Sequence, residues 1–200
     1  MHRKEYSAGA VKLSFWFAEF NKIVELLCDE INMEEIKLLA ENENIFSAAT
    51  SARSKQIFST VSMRVSSLPD SIFEIYHKAT IETKKIINLI SIMITDTLFF
   101  DFMYEIYREK LILGDTVLAD MDIRVFFHDK QRESEKVAKW TDDTLNRLQK
   151  SYKSWLSEAG LLDHSIGDRK IIRPIIDLSL ELLLENNNMI PILKVLSGAR

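Results

Sequence analysis

The sequence predicts a mainly α protein: a compact array of helices that closes with helix, helix, long helix, β-hairpin and helix. Three observations carry this. Only 5 Gly and 3 Pro interrupt 200 residues, apolar residues recur at three- and four-residue spacing along most of the chain, and that period breaks clearly once, between Asp163 and Pro174. With 46% hydrophobic and 28% charged residues, the composition is that of an ordered globular protein able to bury a substantial core.

From the N terminus, Leu13, Phe17, Phe20, Val24 and Leu27 share one face of a first helix, widened by Phe15, Trp16 and Ile23, which predicts a central position. Asn32 with Glu35 forms a capping box for a short helix to about Ala40, and 41–44 is a polar link. In the Ser- and Thr-rich segment 46–68, Ile57, Val61 and Val65 lie at helical spacing, with Arg53, Lys55 and Arg64 elsewhere on the surface. Pro69 suits a first helical position, followed by Ile72, Phe73, Ile75 and Tyr76 as an apolar side. A helix from about Ile81 to Thr95 comes next. Asp96 can cap another over 97–113, with Phe99, Phe102, Met103, Ile106 and Tyr107 pointing inward and Gly114 as the stop. A link at 115–117 divides an N-terminal helical region, 1–117, from a C-terminal region, 118–200, the two packed as one unit. The second region opens with helices over 118–127 and 133–139 and ends with the apolar helix 175–185 and a short helix from about Ile190.

The long helix of this region is the best specified. Thr141 offers a hydroxyl cap, Asp142 and Asp143 complement the positive end of the helix dipole, and Trp140 can staple onto Leu145. Leu145, Leu148, Tyr152, Trp155, Leu156 and Ala159 form one apolar stripe, and Gly160 is the expected left-handed stop. The opposite face shows Asn146, Arg147, Lys150, Lys153, Ser154 and Ser157, a pattern that suits phosphates. Asp163 to Pro174 then reads as two short strands around a tight turn at Gly167-Asp168, with Arg169, Lys170 and Arg173 on the returning arm. A helix pair, a long helix and a basic hairpin follow the order of a winged helix, so the C-terminal unit is expected to be winged-helix-like. The same helix is equally describable as an ordinary solvated surface helix, and Arg53, Lys55 and Arg64 as an amphipathic helix face.

Other classes lack their ingredients. His2, His77, His128 and His164 are scattered without metal-ligand spacing, no glycine loop cradles phosphate, and Cys28 has no partner for nucleophilic work. Catalytic residues, metals and cofactors are therefore not expected. The single cysteine excludes an intramolecular disulfide and fits a reducing cytoplasm, with Cys28 as a small buried apolar residue. The apolar run 86–100 contains Asn88, Ser91, Thr95, Asp96 and Thr97 and falls short of a membrane span. The net charge of -4 requires any nucleic-acid contact to be a local patch, and between Lys139 and Arg173 there are 7 cations against 5 anions.

The segments "YSAGAVKLSFWFAEFNKIVELL", "TDTLFFDFMYEIYREK" and "VAKWTDDTLNRLQKSYKSWLSEAGLL" followed by "KIIRPII" resemble the BrxA family of BREX bacteriophage-defence systems, from about Tyr6 to Ile176. The resemblance implies a mostly helical protein similar to NusB-type and winged-helix regulators. It also implies non-enzymatic binding of double-stranded DNA beside other BREX subunits, and it leaves a weak homodimer open. On this reading Asn146, Arg147, Lys150, Lys153, Arg169, Lys170 and Arg173 form the primary DNA-binding set, and Arg53, Lys55 and Arg64 a secondary one. Six phosphate contacts would give a log-log salt slope of about -5. A protein-interaction adaptor and an RNA-binding or transcription-regulating helical module remain alternatives.

Overall fold

The computed structural model describes residues 4–199, and helices dominate it. After a single 3-10 turn, Gly9–Lys12, come α1 (Phe17–Cys28), α2 (Met33–Asn42), α3 (Ser51–Val65), α4 (Ile72–Tyr76) and α5 (Ile81–Thr95). A rod from Thr97 to Leu113 contains α6 (Thr97–Phe102), a π turn at Met103–Tyr107 and α7 (Arg108–Leu113). Then follow β1 (Val117–Leu118), α8 (Asp120–Glu133), α9 (Glu135–Ala138), α10 (Asp142–Glu158), β2 (Arg169–Lys170), α11 (Leu178–Asn186) and α12 (Ile190–Ser197).

Polar side chains set most of the helix starts, because they satisfy backbone N–H groups that have no partner within the helix. Asn32 accepts from Glu34 and Glu35 while Glu35 returns a bond to the Asn32 N–H at 3.1 Å, a complete capping box. Thr50, Thr80 and Ser134 cap α3, α5 and α9. Asp96 accepts from the Phe99 N–H at 3.0 Å, and there the chain turns through 112° between α5 and the following rod. Gly114 ends that rod at φ 77°, a conformation that costs glycine little.

α5 is the central helix: from Ile86 to Met93 every side chain is buried. Among them Asn88 donates to the Phe15 carbonyl at 2.9 Å, tying α5 to the turn before α1. Aromatic contacts then join the rod to the C-terminal helices. Phe99 meets Tyr152 and Trp155 edge-on at 4.9 and 5.1 Å, and Phe102 meets Phe126 at 5.5 Å. One hydrophobic core thus runs from Ala10 to Leu196. Among the described residues no single helix is long and apolar enough to cross a membrane.

Several boundaries differ from the sequence expectation, each for a local reason. Trp16 adopts φ 52°, so α1 begins at Phe17 and Leu13 lies before it. α3 begins at Ser51, after its Thr50 cap, and 46–50 is not helical. Val117 and Leu118 form a strand, which delays the next helix to Asp120 and lets it run on to Glu133. Asp177 caps α11 by accepting from Ser179 at 2.8 Å, leaving Ile175 and Ile176 outside the helix. Cys28 is exposed at the end of α1 rather than buried.

The strands also pair differently. β2 is hydrogen-bonded antiparallel to β1, with Val117 opposite Lys170 and Leu118 opposite Arg169. A separate bridge, Leu162 to Ile171, closes the local hairpin, helped by the Asp163 N–H donating to the Lys170 carbonyl at 3.0 Å. The arms are joined by a loop over 164–168 in place of a two-residue turn at Gly167-Asp168.

Candidate nucleic-acid interface

α10 is built as its sequence requires. The Thr141 hydroxyl accepts from the Thr144 N–H at 3.3 Å. At the other end, the Gly160 N–H reaches the Ser157 carbonyl and the Leu161 N–H reaches the Leu156 carbonyl at 2.8 Å, with Gly160 at φ 81°. These two bonds form a Schellman stop. Leu148, Tyr152, Trp155, Leu156 and Ala159 are buried, and Leu145 is half-buried.

The polar face divides in two. Asn146, Arg147, Lys150 and Ser154 are exposed. Arg147 lies 3.8 Å from Asp143 one turn earlier, a contact worth little in water. Lys150 makes no ion pair among the described residues. Lys153 and Ser157, by contrast, are buried. The Lys153 ammonium donates to Asp120 Oδ1 at 2.5 Å and to the Gly167 carbonyl at 3.0 Å. This ammonium is the chief cause holding the Asp120 carboxyl below its ordinary pKa.

The hairpin loop is fastened onto the same side of α10. Arg169 Nη1 donates to the Lys153 carbonyl at 2.9 Å and to Ser157 Oγ at 2.5 Å, and its Nε donates to the Ser165 carbonyl at 3.1 Å. Ser157 Oγ in turn donates to the Asp163 carbonyl at 2.7 Å. The loop also reaches α8, where the Asp120 N–H donates to Asp168 Oδ1 at 2.8 Å. Lys153 and Arg169 are therefore cross-braces. Arg173 donates to the Leu111 carbonyl and is likewise tied to the fold. Of the three cations predicted on this arm, Lys170 and Arg173 are exposed, and Lys170 makes no ion pair among the described residues.

The secondary set separates in the same way. Lys55 is exposed, 3.9 Å from Glu41. Arg53 is half-buried, 4.8 Å over the Trp16 ring, and donates to Gln56 at 2.8 Å. Arg64 is buried and is not a surface residue. Its Nη1 donates to the Phe15 carbonyl at 2.9 Å, and both terminal nitrogens donate to the Ser14 carbonyl at 3.2 Å. It lies 5.8 Å from the rings of both Trp16 and Trp155. Desolvation lowers its pKa to about 10, so it stays cationic at neutral pH.

Across from Asn146, the outer face of α8 presents exposed His128 and Arg124, the latter outside the sequence-predicted set. With Met121 and Gln149 they line a cleft of about 530 Å³ between α8 and α10. Arg124, His128 and Arg132 stand at four-residue spacing, the one signal that two arginines share this face of the helix. Among the described residues no three His, Cys, Asp or Glu side chains converge to hold a metal ion.

The model of the BrxA family matches residues 4–188. A BREX protein BrxA from Bacillus cereus (strain H3081.97) is 42% identical over 162 residues, covering 81% of each chain. The crystal structure of an uncharacterized protein from Magnetospirillum magneticum superposes with a TM-score of 0.80 at 16% identity, covering 98% of this chain and 100% of that one. At that identity the likeness speaks for the fold alone. The family match over nearly the whole chain, joined to the close relative, establishes that the chain belongs to the BrxA family of BREX phage-defence components.

Proposed function

We propose that this chain is a non-enzymatic accessory subunit that binds double-stranded DNA within its BREX system. The observation that carries the reading is the cross-braced pairing of α10 with the hairpin loop. Lys153, Ser157 and Arg169 fix the loop against the helix, so Asn146, Arg147 and Lys150 are held in a defined relation to Lys170. With β1 paired to β2, the order strand, helix, helix, long helix and hairpin is that of a winged helix, in which the long helix enters the major groove. Arg124 extends the cationic rim onto α8.

Binding on this surface is largely independent of sequence, because its cations are suited to phosphate oxygens. Asn146 and Arg147 are the side chains equipped for bidentate contact with a base edge. The experiment is a duplex-DNA gel shift on protein freed of nucleic acid, with Lys150→Glu and Lys170→Glu combined. Abolition of the shift, with the thermal melt preserved, is expected. An unchanged shift removes this surface from the reading, and stronger retention of single strands or RNA in competition would favour the RNA-binding alternative.

A further inference from the structure

α11 leaves an apolar face uncovered. Its inner face, Leu180, Leu183 and Leu184, is buried, yet on the other side Leu178 is 68% and Leu182 48% exposed. The chain leading into it adds Ile175 at 92% and Ile172 at 47%, and Ile81 at the start of α5 is 61% exposed. A helix that is apolar all round is expected to be covered on both sides, and contiguous exposure of large aliphatic side chains marks an interaction surface. Ile172, Pro174 and Ile175 also line a cleft of about 490 Å³ against Ile86 of α5 and the Ala159–Leu161 turn after α10.

The rim of this surface selects its occupant. Glu82 and Asp177 line the cleft, while Glu185 continues the row of Leu178 and Leu182 one turn further on, with Glu181 beside it. Arg173 also lines the cleft, exposed and bonded to the Leu111 carbonyl, so this rim carries one cation against the four carboxylates of Glu82, Asp177, Glu181 and Glu185. In a two-fold dimer this patch would face itself and set carboxylates against carboxylates, which opposes a second copy. We infer that the surface formed by Ile172, Ile175, Leu178 and Leu182 docks an apolar segment flanked by lysines or arginines on another subunit of the BREX system. The inference rests on family membership and not on DNA binding.

The test titrates the full chain by biolayer interferometry against each other purified subunit of the same BREX system at two salt concentrations. Duplex-DNA binding is measured in parallel. One subunit is expected to bind, less tightly at high salt. Ile175→Asp with Leu182→Asp should weaken it by about tenfold or more, as expected for removal of central apolar anchors. Glu185→Lys should weaken it several-fold. All three positions are exposed, so the thermal melt and DNA affinity should stay as in the unsubstituted chain. Absence of binding by every subunit, or binding indifferent to these substitutions, overturns the inference. So does a dimer by light scattering that Ile175→Asp converts to monomer, which would assign the surface to a second copy.

Discussion

Asp96 shows how one side chain can serve a helix and still oppose stability. It caps α6 from a half-buried position at the sharp bend after α5, where desolvation raises its pKa from 3.8 to about 6, partly offset by the Phe99 and Leu98 N–H groups and by Arg64. The folded protein therefore holds this proton to higher pH than the unfolded chain does. Asp96 contributes its full stabilisation below about pH 4, and that contribution is lost as pH rises through about 6, an effect of about 3 kcal/mol. Asp120 and Asp163, whose pKa values are lowered by hydrogen bonds to Lys153 and Ser165 respectively, act in the opposite direction. The informative quantity is consequently the difference between two proteins. Asp96→Asn retains an accepting oxygen for the cap, and the urea midpoint of this variant should gain on the unsubstituted chain between pH 4.5 and 7. Parallel midpoints would show that the burial of this carboxyl is not felt in stability.

Among the elements, α10 was the most legible and also held the largest surprise. Its stop can be tested directly. A Cβ added at Gly160 meets nothing within 4 Å, so the φ of 81° alone decides the effect of Gly160→Ala. A cost of about 1 kcal/mol is expected, read as a fall in Tm of about 2–4 °C. Caps and stops of this kind are written locally, which is why Thr141, Asn32 with Glu35, Asp96 and Gly114 could all be placed from the sequence. Burial of polar groups is not written locally. Lys153 and Ser157 belong to the polar side of a helical wheel, yet they are covered because the hairpin loop supplies an acceptor for each donor. Arg64 disappears into the core by the same rule, since Ser14 and Phe15 offer it carbonyls. Pairing of β2 with β1 was hidden for a related reason. Two-residue strands carry no alternation, and their partners lie on either side of α8, α9 and α10.

At the scale of the whole molecule, a net charge of -4 means that any attraction to a polyanion is local. Of the six cations expected on α10 and the hairpin, Arg147, Lys150 and Lys170 are exposed and donate to no backbone carbonyl among the described residues, and Arg124 joins them from α8. Four phosphate contacts give a log-log salt slope of about -3.6, shallower than the -5 expected from six. Fluorescence anisotropy on duplex DNA between about 50 and 200 mM salt checks this, and a slope near zero would remove phosphate contact altogether. The bond between Asp120 and Asp168 spans 48 positions, and β1 is likewise completed only by β2. During synthesis, at about 5–20 residues per second, the ribosome would release the first strand several seconds before the second. A nascent chain halted after α10 would thus leave the backbone groups of Val117 and Leu118 without their strand partner until Arg169 and Lys170 have been translated.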